Sequence, residues 1–525
     1  MSQQSLSQQT LPQLVQAAAE QYGNNIAIAE QQQSISFNEL NALRLQACRA
    51  FMAAGIEKGD RVAIWAPNIS EWVIAAIGLH SAGAVLVPLN TRMKGSEAAY
   101  IINASGAKLL LCVAGFLGID YPAMLAGEAM PTLEKTVLLR GETEADVAAI
   151  ESWSDFTSRA EQVPLVDAQQ RADAVTADDT MDIMFTSGTT GKPKGVISAH
   201  GQNIESFTTW SETVGLRASD NYLIINPFFH SFGYKAGWLA AIIQGAKILP
   251  VLTFDLDEVL AQIERDKISM LPGPPTIYQS LLSHPKRGDY DLSSLRLAVT
   301  GAAAVPVELV NQMWNELGFE TVVTAYGLTE TCGVVSICRP EDSAEIISTT
   351  SGRAMPGVEV KCVDGEGNAV ETGEPGEICV RGYNVMQGYF NNEAATAEAI
   401  DGDGWLHTGD IGVMDAQGYL RITDRLKDMI ISGGFNVYPA EIENGLASIA
   451  GVVQSAVVGV ADERMGEVAK AFIVKQADSD LTEQGVIDWC RANMANYKVP
   501  RSVEFIEAMP LNAAGKILKI ELREK

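Results

Sequence analysis

Apolar positions along the first part of the chain alternate between two periods. Leu40, Leu43, Ala47 and Phe51 share one helical face, and Gly55 follows as a C-terminal stop. Residues 61–65, Arg-Val-Ala-Ile-Trp, then read as a buried strand. The cycle repeats with a helix over 69–79 that is apolar on most faces, a strand at 84–88 and another at 108–113. Short apolar strands separated by helical stretches predict βαβ units, so the fold class is α/β, with parallel sheets in a large N-terminal domain spanning 1–426.

From about residue 352 the texture changes. Gly-punctuated alternating runs such as 376–382 and 418–422 predict antiparallel strands joined by tight turns, a β-rich subdomain over about 352–426. Past 427 come a helix opened by Pro439, strands at 452–460 and 468–474, a helix over about 482–494 and a strand near Val503. That α-β-β-α-β order makes residues 427–525 a small α+β C-terminal domain.

Charge narrows the partners. The 525 residues carry 38 Lys and Arg against 65 Asp and Glu, a formal net charge of −27. Such a surface repels nucleic acid and anionic membrane and points to small molecules. The acidity is uneven: the stretch from Lys498 to Lys525 holds six basic and four acidic side chains, so a polyanion still finds a basic site there. Seven scattered cysteines, Cys48, Cys112, Cys332, Cys338, Cys362, Cys379 and Cys490, form no CxxC pair and fit neither a disulfide framework nor a zinc site. Residues 1–9 lack the features of a signal peptide, and the most apolar stretch, 72–89, is broken by His80, Ser81, two glycines and Pro88. These features predict a cytoplasmic protein with no integral membrane segment.

The densest local signal is Thr186-Ser187-Gly188-Thr189-Thr190-Gly191-Lys192-Pro193-Lys194-Gly195, placed after the apolar strand Ile183-Met184-Phe185. Glycines free successive N–H groups, hydroxyls add donors and lysines add charge, a composition suited to a polyphosphate. It is not a Walker A loop, because two residues separate Gly188 from Gly191 and Pro193 stands where a magnesium-binding hydroxyl belongs. Further along come Pro227-Phe228-Phe229-His230-Ser231-Phe232-Gly233, Thr300-Gly301-Ala302-Ala303, Tyr326-Gly327-Leu328-Thr329-Glu330, Trp405-Leu406-His407-Thr408-Gly409-Asp410, Thr423-Asp424-Arg425-Leu426-Lys427, Ser432-Gly433-Gly434, and 510–516 ending in Gly515-Lys516.

This ordered series resembles the adenylate-forming enzymes, which comprise acyl-CoA synthetases, the adenylation domains of peptide synthetases and beetle luciferases. The resemblance implies that a carboxylate and ATP give an acyl adenylate and pyrophosphate, and that a thiol then captures the acyl group. It implies ATP binding by residues 186–192, Lys194, Gly301, Ala302, Ala303, Tyr326 and Gly327, with Asp410 and Arg425 as ribose ligands. Glu330 is implied as the Mg2+ ligand and Thr329 as a donor to the α-phosphate. A carboxylate beside a triphosphate makes sense only with a hard divalent cation between them. His230 would orient the acid, and Lys516 would bridge the carboxylate and the α-phosphate as negative charge builds on phosphorus. The family further implies that the small C-terminal domain is mobile about a hinge at Lys427, withdrawing Lys516 and presenting Ser432, Gly433 and Gly434 to coenzyme A.

The chain stops soon after Lys516 with no carrier domain, which favours free CoA as acceptor. Pocket candidates His230, Phe232, Gly233, Tyr234, Ala236, Ala302, Ala303 and Gly327 are mostly apolar and small, suiting a bulky hydrophobic acid. Residues 226–238 further resemble ligases acting on the propanoate side chain of steroid C and D ring fragments. Tyr234 and Lys235 could then donate to ring ketones, although the ordinary expectation for Lys235 is exposure. Medium-chain fatty and aryl acids are the alternative substrates. A catalytically inactive nucleotide-binding regulatory protein is the alternative from another class.

Overall fold

The computed structural model describes residues 9–145, 147, 149–186, 193–301, 305–432, 435–462, 465–494, 496–511 and 516–524, with backbone alone at 425, 427, 431, 435 and 436. The chain divides into two compact units, Met1–Glu359 with Arg381–Gly404, and Val360–Val380 with Trp405–Lys525.

Ser36 and Glu39 form a reciprocal capping box that starts the helix Phe37–Ala53, whose buried face includes Leu40, Ala47 and Phe51. The strand Arg61–Trp65 and the helix Ser70–Ser81 follow, the helix buried along nearly its whole length, as its apolar faces require. Among the described residues a nine-stranded sheet is built around these elements. Its parallel centre runs Thr180–Thr186, Val85–Pro88, Arg61–Trp65, Leu109–Phe116, Lys135–Arg140 and Ile150–Ser152. Parallel strands covered on both faces need continuous apolar runs, which these sequences supply. The sheet turns antiparallel at one side, where Lys194–Ala199 pairs with Thr180–Thr186 and then with Gly388–Tyr389.

A second sheet joins Asn221–Ile224, Lys247–Pro250, Ile26–Glu30 and Gln33–Ser36. A third places Leu297–Thr300 parallel to Thr321–Tyr326 before two short antiparallel strands. The sheets are therefore mixed, with parallel centres as the periodicity implies and antiparallel margins.

In the other unit, Pro375–Arg381, Leu406–Met414 and Leu420–Arg425 pair antiparallel, bearing out the Gly-punctuated pattern. This β-rich segment groups largely with residues 427–525. The helix Pro439–Leu446, strands Val452–Asp462 and Gly466–Lys475, helix Glu483–Asn493 and strand Ser502–Phe505 follow in the expected order. Side-chain alternation along Val452–Asp462 serves two cores. Val457 faces Ile442, Leu446, Val486 and Cys490, whereas Ala456 and Val458 face Phe472, Met509 and Leu522. All seven cysteines are buried free thiols.

Candidate active site

Gly301 follows the strand Leu297–Thr300 and Tyr326 ends its parallel neighbour, Thr300 lying opposite Thr324. Both therefore sit at the carboxyl ends of adjacent parallel strands, where α/β folds place ligands. After Tyr326 the chain tightens. A Cβ on Gly327 would lie 2.3 Å from the Gly333 carbonyl oxygen and 2.6 Å from Val334 Cα, so only glycine fits. Thr331 Oγ1 accepts from Leu328 N–H at 3.1 Å, closing a short turn over Thr329–Thr331.

The Glu330 carboxylate is not spent on that turn. Its Oε1 accepts the Tyr389 hydroxyl at 2.9 Å, and the backbone carbonyl of Glu330 accepts Met386 N–H. Lys194 Nζ lies 4.8 Å from the centre of the same Tyr389 ring, a cation–π contact. Tyr389 thus links the metal-ligand candidate to the lysine that ends the phosphate loop. Burial and the adjacent carboxylate push the Tyr389 phenol pKa upward, so the hydroxyl keeps its proton and donates. A half-buried carboxylate offering hard oxygen suits Mg2+ held mainly by phosphate oxygens and water. At the loop itself Thr186 pairs with Lys194 across the antiparallel strands, and Thr186 Oγ1 lies 3.4 Å from Lys194 O. Ser187, Gly188, Thr189, Thr190, Gly191 and Lys192 lie outside the described residues, as do Ala302 and Ala303.

His230 stands at the entry of the short helix Ser231–Gly233. Asn68, buried in the connection between the strand Arg61–Trp65 and the helix Ser70–Ser81, braces this approach: its Oδ1 accepts Phe228 N–H at 2.8 Å and its Nδ2 donates to Asn226 O at 2.9 Å. Although open to solvent on one side, the His230 ring is crowded enough that desolvation lowers its pKa and favours the neutral form. Its Nδ1 accepts Phe232 N–H at 3.2 Å, which assigns the proton to Nε2. His230 is therefore a neutral donor rather than a packed core side chain. Phe232 is half-buried beside it, and Gly233 cannot change, since a Cβ would lie 2.2 Å from Asn226 O.

Two neighbours of His230 correct the sequence reading. Tyr234 is fully buried, stacked on Trp238 at 4.8 Å, with its hydroxyl 3.5 Å from His80 Nε2. Lys235 is 1% exposed rather than solvated, and its Nζ lies 3.2 Å from Asp182 Oδ1 and 3.1 Å from Ser198 Oγ. With these partners, neither side chain is presented as a donor to ring ketones. The missed groups, Asp182, Ser198 and Tyr389, left one sequence signal. Asp182 interrupts the apolar run from Met181 to Phe185, and a carboxylate on a buried strand requires a partner.

In the second unit Asp410 is largely buried and lies opposite Arg425 in the antiparallel pair, which places the two ribose candidates side by side on the backbone. Glu377 holds the irregular stretch of the strand Leu406–Met414 just before Asp410. Its Oε2 lies 2.8 Å from His407 Nδ1 and its Oε1 accepts Gly409 N–H at 3.1 Å. Lys427 lies in the single turn Leu426–Asp428. Ser432 is buried, while Gly433 and Gly434 lie outside the described residues. Lys516 is exposed and precedes Ile517, which bridges to Leu511.

Residues 15–390 match the family described as AMP-binding enzyme, and residues 441–516 match the AMP-binding enzyme C-terminal domain. A 3-[(3aS,4S,7aS)-7a-methyl-1,5-dioxo-octahydro-1H-inden-4-yl]propanoyl:CoA ligase of Rhodococcus jostii is 47% identical over 520 residues, 98% of each chain. The ligase of the same name from Mycobacterium tuberculosis is 48% identical over 516 residues, again 98% of each. Among solved structures, o-succinylbenzoate CoA synthetase from Bacillus subtilis in complex with its acyl-adenylate intermediate superposes with a TM-score of 0.84 at 29% identity, covering 99% of both chains.

Proposed function

The chain belongs to the AMP-binding enzyme family, and from that premise we propose that it activates a fused-ring diketo propanoate with ATP and transfers the acyl group to coenzyme A. Acid–CoA ligation is the activity common to its close relatives. The single observation that carries the substrate is 47–48% identity, over 98% of each chain, to two ligases named for that acid. Medium-chain fatty and aryl acids are weaker fits, since the fatty acyl and aryl ligases share less of this sequence.

The chemistry begins with two anions. His230 Nε2–H, fixed by the Nδ1 contact to Phe232, donates to the substrate carboxylate and orients it without taking a proton. One carboxylate oxygen bonds to the α-phosphorus as the bond to the pyrophosphate oxygen breaks. Glu330, steadied by Tyr389, would hold magnesium, which supplies charge neutralisation to the departing phosphates when bound. Thr329 donates to the α-phosphate, Tyr326 stacks on adenine, and Asp410 with Arg425 takes the ribose hydroxyls. Lys516 offsets the charge that develops on phosphorus. In the second half-reaction the CoA sulfur bonds to the acyl carbon, AMP departs with the mixed-anhydride oxygen, and Ser432, Gly433 and Gly434 border the pantetheine path.

Exchange of labelled pyrophosphate into ATP tests this reading. Exchange that depends on the added acid, and is fastest with the fused-ring propanoate among fatty and aryl acids, is the expected result. ATP binding without exchange across that panel would instead favour a nucleotide-binding regulatory protein.

A further inference from the structure

A charged pair buried as deeply as Lys235 and Asp182, each 1% exposed, costs desolvation that its Coulomb attraction at best roughly offsets. Apolar residues of similar volume would fill the same space without that cost, so the pair needs another explanation than stability. Its position supplies one. Asp182 lies on the strand that enters the phosphate loop, and Ser198 lies directly opposite on the strand that leaves it. Each is four residues from the loop's anchors, Thr186 and Lys194, or about 13 Å along an extended strand. Lys235 is five residues past His230 on a different segment.

The bonding closes on itself. Lys235 Nζ reaches Asp182 Oδ1 and Ser198 Oγ, and Ser198 Oγ donates to Asp182 Oδ1 at 2.8 Å. Asn203 Nδ2, from the helix His200–Val214, lies 2.9 Å from Ser198 Oγ and from Ala199 O, and 3.4 Å from Asp182 Oδ2. On the other side the segment between His230 and Lys235 has little freedom. Tyr234 N–H donates to His230 O at 2.9 Å, Gly233 is packed against the 226–227 backbone, and residues Tyr234–Leu239 form a π-helical stretch. Such stretches interrupt the regular helix and recur at functional sites.

We propose that Lys235, Asp182 and Ser198 form a buried bracket that holds the His230 segment in fixed register with both strands of the phosphate-loop hairpin. Lys235 is thereby a positioning residue for adenylation. It touches neither substrate; it fixes the distance between the group that orients the acid and the loop that holds the triphosphate. In-line attack is sensitive to misplacement on the order of 1 Å, which can cost roughly a hundredfold in rate. This inference rests on the acid–CoA ligase reading above.

The test compares wild type with the neutral double variant Lys235→Met with Asp182→Asn, and with Lys235→Met alone, which leaves a buried carboxylate without its lysine. Thermal melting, binding of the non-hydrolysable ATP analogue AMPCPP and acid-dependent pyrophosphate exchange are measured on each. For the double variant, a melting temperature and an AMPCPP affinity close to wild type are expected, the affinity within about threefold. The exchange kcat should fall at least tenfold with little change in the KM for ATP. The single variant should lose melting temperature as well. A double variant with wild-type kcat overturns the proposal, as does a loss of kcat matched by equal losses of AMPCPP affinity and melting temperature, which marks a merely structural pair. Wild-type protein that shows no exchange with any acid of the panel instead overturns the ligase reading, and the bracket's role in adenylation with it.

Discussion

At the scale of single residues, candidate site groups are held by hydrogen bonds from neighbours. Phe232 N–H sets the His230 tautomer, and the Tyr389 hydroxyl occupies one oxygen of Glu330. A hydrogen bond to a charged acceptor contributes about 1.5–3 kcal/mol. Tyr389→Phe should therefore lower exchange kcat by roughly tenfold and raise the magnesium concentration needed for half-maximal rate. Unchanged magnesium dependence would separate Tyr389 from the proposed metal ligand Glu330. A second residue-scale effect concerns stability. His80 and His200 are buried with rings 5.3 Å apart, and His200 Nδ1 accepts Leu11 N–H at 3.2 Å. Burial lowers the His200 pKa to about 4, whereas the unfolded chain titrates near 6.5. Below 6.5 the unfolded state takes up the proton first, so the stability contributed by neutral His200 is full above that pH and declines toward about 4. The decline amounts to roughly 3 kcal/mol. His200→Asn, which can still accept the Leu11 amide, should flatten the fall in urea-midpoint stability between pH 6.5 and 4.5 relative to wild type. The motif residues were visible in the sequence because their types and order are unusual. Tyr389 and Asp182 were not, because each acts through a partner distant along the chain.

Elements were legible where the apolar period was long and clean. The helix–strand alternation of the first hundred residues and the α-β-β-α-β order after Pro439 both appear in the fold. The segment after His230 was not, and the reason is physical. A π-helical stretch with non-helical dihedrals at Gly237 does not follow the 3.6-residue period, so the face on which Lys235 falls cannot be counted from its neighbours. Antiparallel sheet margins were equally hidden, since pairing partners such as Val196 and Tyr389 are far apart in sequence. Backbone crowding gives this element its own prediction. A methyl on Gly233 would meet the carbonyl oxygens of Asn226 and Pro227 at 2.2 and 2.3 Å, atoms that cannot rotate away. Gly233→Ala should cost about 1–3 kcal/mol of stability, read by thermal or denaturant unfolding, and shift the His230 segment enough to raise the KM for the acid. A variant with wild-type stability and acid KM would show that this backbone yields more easily than its contacts imply.

For the whole molecule, the chain is organised as two compact units, and the proposed site residues fall in both. Thr186, Lys194, His230, Tyr326 and Glu330 belong to one, and Asp410, Arg425, Lys427, Ser432 and Lys516 to the other. The net charge of −27 disfavours nucleic acid as a partner, while the stretch from Lys498 to Lys525, with six basic and four acidic side chains, leaves a locally basic segment that includes Lys516. Among the described residues no helix is long and apolar enough to cross a membrane. If the second unit serves both half-reactions by turning about Lys427, Lys427→Pro should cripple CoA ester formation from a preformed acyl adenylate while sparing pyrophosphate exchange. Equal loss of both would remove the hinge. The central claim, that this chain joins a fused-ring diketo propanoate to coenzyme A through an adenylate, is tested most directly by product analysis. Incubation of the acid with ATP, Mg2+ and CoA should yield, by mass spectrometry, the acyl-CoA with one AMP and one pyrophosphate formed per ester, faster than with octanoate or benzoate. Release of ADP and phosphate, or AMP formation with no CoA ester from any acid supplied, would contradict it.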